Sequence, residues 1–135
     1  MNVPPDTIMA LDIGSKRIGV ALTTMIARLP QPLTTIKTKS AIAEIKSLIE
    51  EHQVKVLVVG VPRGINGETT EQTKQTLLFI KELRDNIEVV IHEQDEAITS
   101  LQAESELSAR GKNYAKSDID ALAATYILED YINAR

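Results

Sequence analysis

The sequence predicts an α/β fold: a mixed five-stranded sheet with helices on both faces. Two patterns carry this expectation. Three apolar, strand-like segments come first with no helix between them, which suggests an antiparallel meander. Two further strand-like runs follow, each separated from the last by a helix-patterned segment, so they should run parallel to the first strand. The chain of 135 residues is 43% hydrophobic and 25% charged, an ordinary globular mix with material for one domain and its core. The expected order is β-β-β-α-β-α-β-α-α over a single domain, 1–135.

The first two strands flank the stretch around which the chain is organised. Ile8-Met9-Ala10-Leu11 runs into a lone carboxylate, Asp12. Gly14-Ser15-Lys16-Arg17 reads as a turn, and Ile18-Gly-Val-Ala-Leu22 as the returning strand. Asp is disfavoured inside strands, so Asp12 either caps its own turn or is a functional carboxylate. Gly14 and Gly19 leave space beside it that suits a metal or a phosphate approaching the backbone.

The remaining elements follow in order. Met25 to Pro32 reads as a loop and Leu33 to Lys37 as a short strand. Ser40 can cap a helix to Gln53, with Ile42, Ile45, Leu48 and Ile49 in phase. Val54 to Val61 is nearly all β-branched, the pattern of a strand buried on both faces. Pro62 to Gly67 is a loop at its carboxyl end. Thr69 or Thr70 starts a helix to about Asn86, with Thr73, Leu77, Ile80 and Leu83 in phase. Ile87 to Ile91 reads as the fifth strand, ending in the acidic cluster His92-Glu-Gln-Asp-Glu96. Thr99, with Gln102 three residues on, forms a capping box for a helix to Gly111. A polar, partly basic loop then runs from Gly111 to Lys116, and Ser117 opens a last helix to about Asn133.

Composition excludes several function classes. Cys is absent, so there is no disulfide framework, thiol nucleophile or Cys-based zinc site; this fits a reducing, cytoplasmic setting. His52 and His92 alone cannot make a His-rich metal site. The N-terminus has no basic, apolar leader pattern, and no run is long enough to span a membrane.

The net charge is −4, which argues at first against a nucleic-acid partner. Its distribution argues otherwise. From Ile13 to Ala43 there is no acid, while Lys16, Arg17, Arg28, Lys37 and Lys39 are basic. A local basic face on an acidic protein can hold a phosphate backbone; the plainer alternative is lysine on a solvated sheet edge.

In open α/β sheets, sites form at the carboxyl ends of strands. Asp12, the Pro62–Gly67 loop and Glu96 all belong there. Carboxylates so placed can hold Mg²⁺, a hard ion that takes oxygen ligands. Two such ions about 3.5–4 Å apart can clamp both oxygens of an in-line displacement.

Four motifs in order, Leu11-Asp-Ile-Gly-Ser-Lys-Arg-Ile-Gly-Val-Ala21, Val58-Val-Gly-Val-Pro62 with Asn66-Gly67, Asp95-Glu96-x-x-Thr99-Ser100, and Asp120-Ala-Leu-Ala-Ala124, resemble the YqgF family. Its members are called pre-16S rRNA nucleases or RuvX-type Holliday-junction resolvases. The motifs span essentially the whole chain; together they are specific, and each alone is weak. The resemblance implies an RNase H-like fold and a metal-dependent phosphodiesterase. It implies that Asp12, Glu96 and Asp120 are the catalytic, metal-binding triad, with Mg²⁺ or Mn²⁺, two ions, as cofactor. The implied partner is nucleic acid, either an rRNA precursor or branched DNA. The family often has Arg after its glutamate, where this chain has Ala97; the resemblance implies one phosphate contact fewer there.

Lys16 and Arg17 are the expected substrate-binding cations, joined by Arg63, Asn66 and Gly67 as a substrate-side rim. A simple Asn-Gly turn is the equal alternative for the last group. Glu96 is preferred to Glu93 as ligand because strand residues alternate sides. Asp120 is preferred to Asp118 because it shares a helical stripe with Ala124, Ile127 and Tyr131. Asp118 lines up instead with Thr125 and Glu129, a stripe expected to face water. Asp120 is also expected in the first helical turn, near the positive end of the helix dipole.

Other readings fit less well. Val20-Ala21 stands where a P-loop needs Lys-Ser/Thr. An Asp-x-Gly hairpin also occurs in sugar kinases and actin-like ATPases, but those bind nucleotide between two such lobes, and this chain has room for one. A nucleic-acid-binding module that keeps the fold without cutting is the non-enzymatic alternative. With Phe79, Tyr114, Tyr126 and Tyr131 as the only Phe or Tyr and no Trp, stacking platforms are few, so backbone and shape recognition are expected. The expected assembly is a monomer or a homodimer.

Overall fold

The computed structural model describes residues 6–64, 66–96 and 116–134, without the side chains of 116–118. Five strands form one mixed sheet: β1 (Thr7–Ile13), β2 (Arg17–Thr24), β3 (Gln31–Lys37), β4 (Val54–Pro62) and β5 (Val90–Glu96). Their spatial order is β3-β2-β1-β4-β5. The first three strands pair antiparallel, and β4 and β5 run parallel to β1. The meander and the parallel additions are as the sequence predicts.

Strand alternation divides the core into two layers. Met9, Leu11, Ile18, Val20, Leu57 and Val59 face helices α1 (Ala41–His52) and α2 (Glu71–Asn86), meeting Ile45, Ile80 and Leu83. Ile8, Ala10, Ala21 and Val58 face the other way, onto Ala124, Ile127, Leu128 and Tyr131 of α3 (Lys116–Asn133). Helices therefore cover both faces. Their close seating depends on glycine. A Cβ at Gly60 would lie 2.3 Å from Ile127 Cδ1, so with glycine there the Ile127 side chain packs directly on the strand backbone. No described helix is long and apolar enough to cross a membrane.

Several boundaries differ from expectation. β3 begins at Gln31 and includes Pro32, which pairs with Ala21 at a register shift. Proline survives because β3 is an edge strand, where no further ladder donor is needed. β5 begins at Val90, and the acidic cluster is the strand itself rather than its sequel. Among the described residues it too is an edge strand, so polar residues are tolerated along it. Ser40 stands at the N-cap of α1 but makes no capping hydrogen bond to the backbone. A short 3-10 turn, Thr38–Ser40, precedes it, and the Ser40 hydroxyl turns instead to Glu44, 3.4 Å away.

At α2 the cap is as expected. Thr70 accepts from the Thr73 backbone N–H, and Thr73 returns the contact in a capping box. The Thr73 hydroxyl also donates to the Pro62 carbonyl, tying the helix start to the end of β4. The expected helix from Thr99 to Gly111 and its Thr99–Gln102 box lie outside the described residues. α3 is already helical at Lys116, one residue before the predicted start. Asp120 therefore falls beyond its first turn, where the helix dipole acts weakly.

Candidate active site

The parallel strands β1, β4 and β5 end on the same side of the sheet, and the candidate carboxylates lie there. Asp12 is the penultimate residue of β1 and Glu96 the last of β5. Asp12 shares its face with Ile8 and Ala10, the face covered by α3. It pairs with Gly19 on β2. A Cβ at Gly19 would stand 1.8 Å from the Asp120 carbonyl oxygen. The space beside Asp12 that the sequence assigned to a metal or phosphate is thus filled, on the Gly19 side, by the backbone of α3. Gly19 brings the helix, and with it Asp120, against the strand.

The consequence is electrostatic. The Asp12 carboxyl is pushed up from 3.8 to about 7, first by burial and second by the Asp120 charge. Two carboxylates held this way disfavour joint ionisation, and a cation between them would reverse that penalty. Arg17 already supplies a cation to one: its Nε donates to Asp120 Oδ2 at 2.9 Å. Asp120 shares its helical stripe with the buried residues Ala124, Ile127 and Tyr131, in line with the predicted phase. The contrasting stripe is corrected in part. Glu129 is exposed, but Thr125 is buried and donates to the Ala121 carbonyl; α3 packs on more than one side, and a threonine can satisfy its hydroxyl within its own helix. The Asp118 side chain lies outside the described residues.

On β5, alternation separates the two glutamates. Glu93 pairs with Arg84 of α2 at 3.2 Å. Glu96 has the parity of His92, whose ring lies 5.4 Å from that of Tyr131 on α3. Glu96 therefore belongs to the face that carries Asp12 and Asp120. The three carboxylates share a face and an end of the sheet, but the coupling is seen between Asp12 and Asp120. Among the described residues no three His, Asp or Glu side chains converge tightly enough to form a ready-made metal cage.

The hairpin turn between β1 and β2 is braced. The Gly14 N–H donates to the Arg17 carbonyl at 2.9 Å, and the Thr38 N–H to the Lys16 carbonyl at 3.0 Å. The Thr38 hydroxyl reaches the Gly14 carbonyl at 2.7 Å. Lys16, Arg17, Lys37 and Lys39, with Ser15, Thr35 and Ile36, surround a cleft of about 580 Å³. Arg28, grouped with these cations in the sequence, is elsewhere: its guanidinium donates to the Ile132 carbonyl at the end of α3.

Arg63 clamps the ends of β4 and β5. Its N–H donates to the Glu96 carbonyl, and its guanidinium reaches Asp95 and Thr69, each at 3.1 Å. Asn66 and Gly67 are exposed, and Gly67 has φ +77° and donates to the Gly64 carbonyl, so the Asn-Gly turn is real. The sequence reading missed the Arg63–Asp95 pair, the Thr38 brace and the convergence of Lys37 and Lys39 on Arg17. Only the last left a signal, the acid-free run from Ile13 to Ala43.

Comparison with known proteins gives a consistent family. The model of the RuvX family, described as Holliday junction resolvase, matches residues 6–134. A protein of Roseiflexus sp. strain RS-1 named "Putative pre-16S rRNA nuclease" is 37% identical over 141 residues, covering 100% of this chain and 99% of that protein. One of Chloroflexus aurantiacus with the same name is 40% identical over 133 residues, covering 95% and 87%. Among solved structures, T. thermophilus RuvC in complex with Holliday junction substrate superposes with TM-score 0.58 at 14% identity, covering 96% of this chain and 95% of that one. The fowlpox virus Holliday junction resolvase gives 0.53 at 14%, covering 96% and 99%. At such identity these two likenesses speak for the fold.

Proposed function

The chain belongs to the RuvX family, and from that premise we propose that it is a divalent-metal-dependent endonuclease acting on structured nucleic acid. The favoured substrate is the 5′ end of precursor 16S rRNA, after the name its relatives carry. The whole chain acts as one nuclease domain, in the cytoplasm. The observation that carries this reading is the coupled pair Asp12 and Asp120, brought together by Gly19.

The donors fit a hard cation. Asp12, Asp120 and Glu96 offer only carboxylate oxygens, and Mg²⁺ or Mn²⁺ needs one or two carboxylates besides substrate phosphate oxygens and water. Bound there, two such ions supply a polarised phosphate and an activated water. The protein's own part is to hold the charges. Asp12 is ionised when a cation offsets its burial and the neighbouring Asp120 charge, while Lys16 and Arg17 take phosphate oxygens beside it. Arg63, Asn66 and Gly67 edge the site from the β4 side, with Arg63 also fixing the strand that carries Glu96.

The family's own description favours a second substrate, a four-way DNA junction. One experiment separates the readings: purified protein with Mg²⁺ or Mn²⁺ is given a pre-rRNA 5′ leader and a four-way junction side by side, with Asp12→Asn as control. Cleavage of one substrate, lost in Asp12→Asn, identifies it. Binding without cleavage identifies a non-catalytic module, and cleavage at the wild-type rate by pure Asp12→Asn sinks the site.

A further inference from the structure

The cations of this molecule are placed to one side of its carboxylates. Across the sheet, Asp12 pairs with Gly19 and Gly19 with Thr35. These three residues form a row on the face covered by α3. The next row on that face, two residues toward the hairpin turn, is Arg17 paired with Lys37. Lys16 and Lys39 flank it, and all four cations line the same cleft, about 580 Å³ in volume. That volume falls in the range of sites that enclose a small organic ligand.

Arg17 is the only one of the four in an ion pair among the described residues, and its partner is Asp120. Lys16, Lys37 and Lys39 are exposed. No acid occurs between Ile13 and Ala43 to neutralise them locally. The opposite flank differs. At the β4–β5 edge the charges are paired with one another, Arg63 with Asp95 and Arg84 with Glu93. A polyanion approaching this end of the sheet meets attraction over β2–β3, while the arginines over β5 are already engaged.

We infer that the Lys16–Arg17–Lys37–Lys39 cleft is a phosphodiester-backbone site that leads the nucleic-acid strand away from the carboxylates across the β2–β3 edge. This rests on the nuclease reading and extends it: Lys37 and Lys39 join the binding surface, and β5 does not carry the strand. The ligand is the sugar–phosphate backbone, which carries no sequence information.

The test is equilibrium binding in EDTA, where cleavage is suppressed, at several salt concentrations. The probes are a fluorescein-labelled pre-rRNA leader stem-loop and a labelled four-way DNA junction. The variants are Lys37→Ala/Lys39→Ala and, on the helices of the other face, Lys46→Ala/Lys81→Ala. Loss of two phosphate contacts flattens the slope of log K against log salt by about 1.4 to 1.8. That flattening is expected for the first variant and not for the second, with unchanged melting temperatures. The probe on which it occurs names the kind of strand. Salt-dependent binding by the wild type with an unchanged slope in Lys37→Ala/Lys39→Ala overturns the cleft and leaves the nuclease reading standing. No binding of either probe by the wild type overturns both.

Discussion

Arg17 Nε and Asp120 Oδ2 are 2.9 Å apart although 103 residues separate them in the chain. The contact ties the first turn of the β1–β2 hairpin to the final helix. Both side chains are partly exposed, 32% and 20%, so the pair is expected to contribute only about 0.5–1 kcal/mol. A double-mutant cycle of Arg17→Gln and Asp120→Asn, followed by urea unfolding in EDTA, should return a coupling of that size. Additive effects would show that the contact does not persist in solution. In the presence of metal, Asp120→Asn should also abolish cleavage, since it removes a ligand while keeping the shape.

Asp12 makes stability depend on pH in a definite direction. Its folded value lies near 7 against 3.8 for the unreacted group, through burial first and Asp120 second. Below pH 3.8 the group is protonated in both states. Between about pH 4 and pH 7 the unfolded chain ionises while the folded one holds its proton, so stability falls as pH rises through that window. Above pH 7 the loss is complete. Asp12→Asn carries no such loss. In EDTA it should gain on wild type by on the order of 3 kcal/mol between pH 4.5 and pH 8. The check is the difference in melting temperature between the two proteins across that range; a difference that does not grow with pH contradicts the raised value.

The parts of the fold that depend on neighbours in sequence were legible in it. Ile8 to Leu22 reads as a hairpin because its strands and its Gly turn are contiguous. Thr69 or Thr70 marks the start of α2 for the same reason, although the part of Thr73 in the cap was read only as helical phase. What was not legible depends on position in the sheet. Pro32 and the acids of β5 looked like loop residues because nothing local says that a strand will lie at an edge. The site divides similarly. Asp12 stood out as a carboxylate at the end of an apolar strand. The roles of Gly19 and of Arg63 did not, because each faces a residue distant in the chain, Asp120 or Asp95.

Gly19 gives a steric test of how α3 reaches the site. Gly19→Ala would drive a Cβ toward the Asp120 carbonyl, 1.8 Å away, and toward the Ala121 nitrogen, 2.8 Å away. These are backbone atoms and cannot rotate aside, so the helix start must move. Overpacking of this kind costs about 1–3 kcal/mol, and the variant should fall at the upper end. Displacing Asp120 should remove cleavage as well. Gly67→Asn is the contrast: φ is +77° and nothing lies within 4 Å, and asparagine tolerates that conformation. Urea unfolding of the two should differ clearly; equal stability would mean that α3 does not press on Gly19.

Glu96, not Glu93, should govern metal affinity. The argument starts from strand parity. Residues 92, 94 and 96 of β5 face one way and 93 and 95 the other. His92 identifies its side by meeting Tyr131 of α3, and Glu93 identifies the other by pairing with Arg84 of α2. Asp12 and Asp120 lie on the α3 side, so Glu96 is the glutamate that shares their face. It also ends its strand opposite Pro62, where the Arg63 N–H holds its carbonyl at 2.9 Å, which fixes the backbone from which the side chain projects. Glu93→Gln removes one half-exposed ion pair and should cost no more than about 1 kcal/mol of stability, leaving metal binding unchanged. Glu96→Gln should weaken Mn²⁺ binding by about tenfold or more, a scale that even groups supporting a metal ligand reach. Calorimetric Mn²⁺ titration of the two variants decides between them. Weakening in Glu93→Gln alone would mean that the strand turns over near its end and that the ligand must be reassigned.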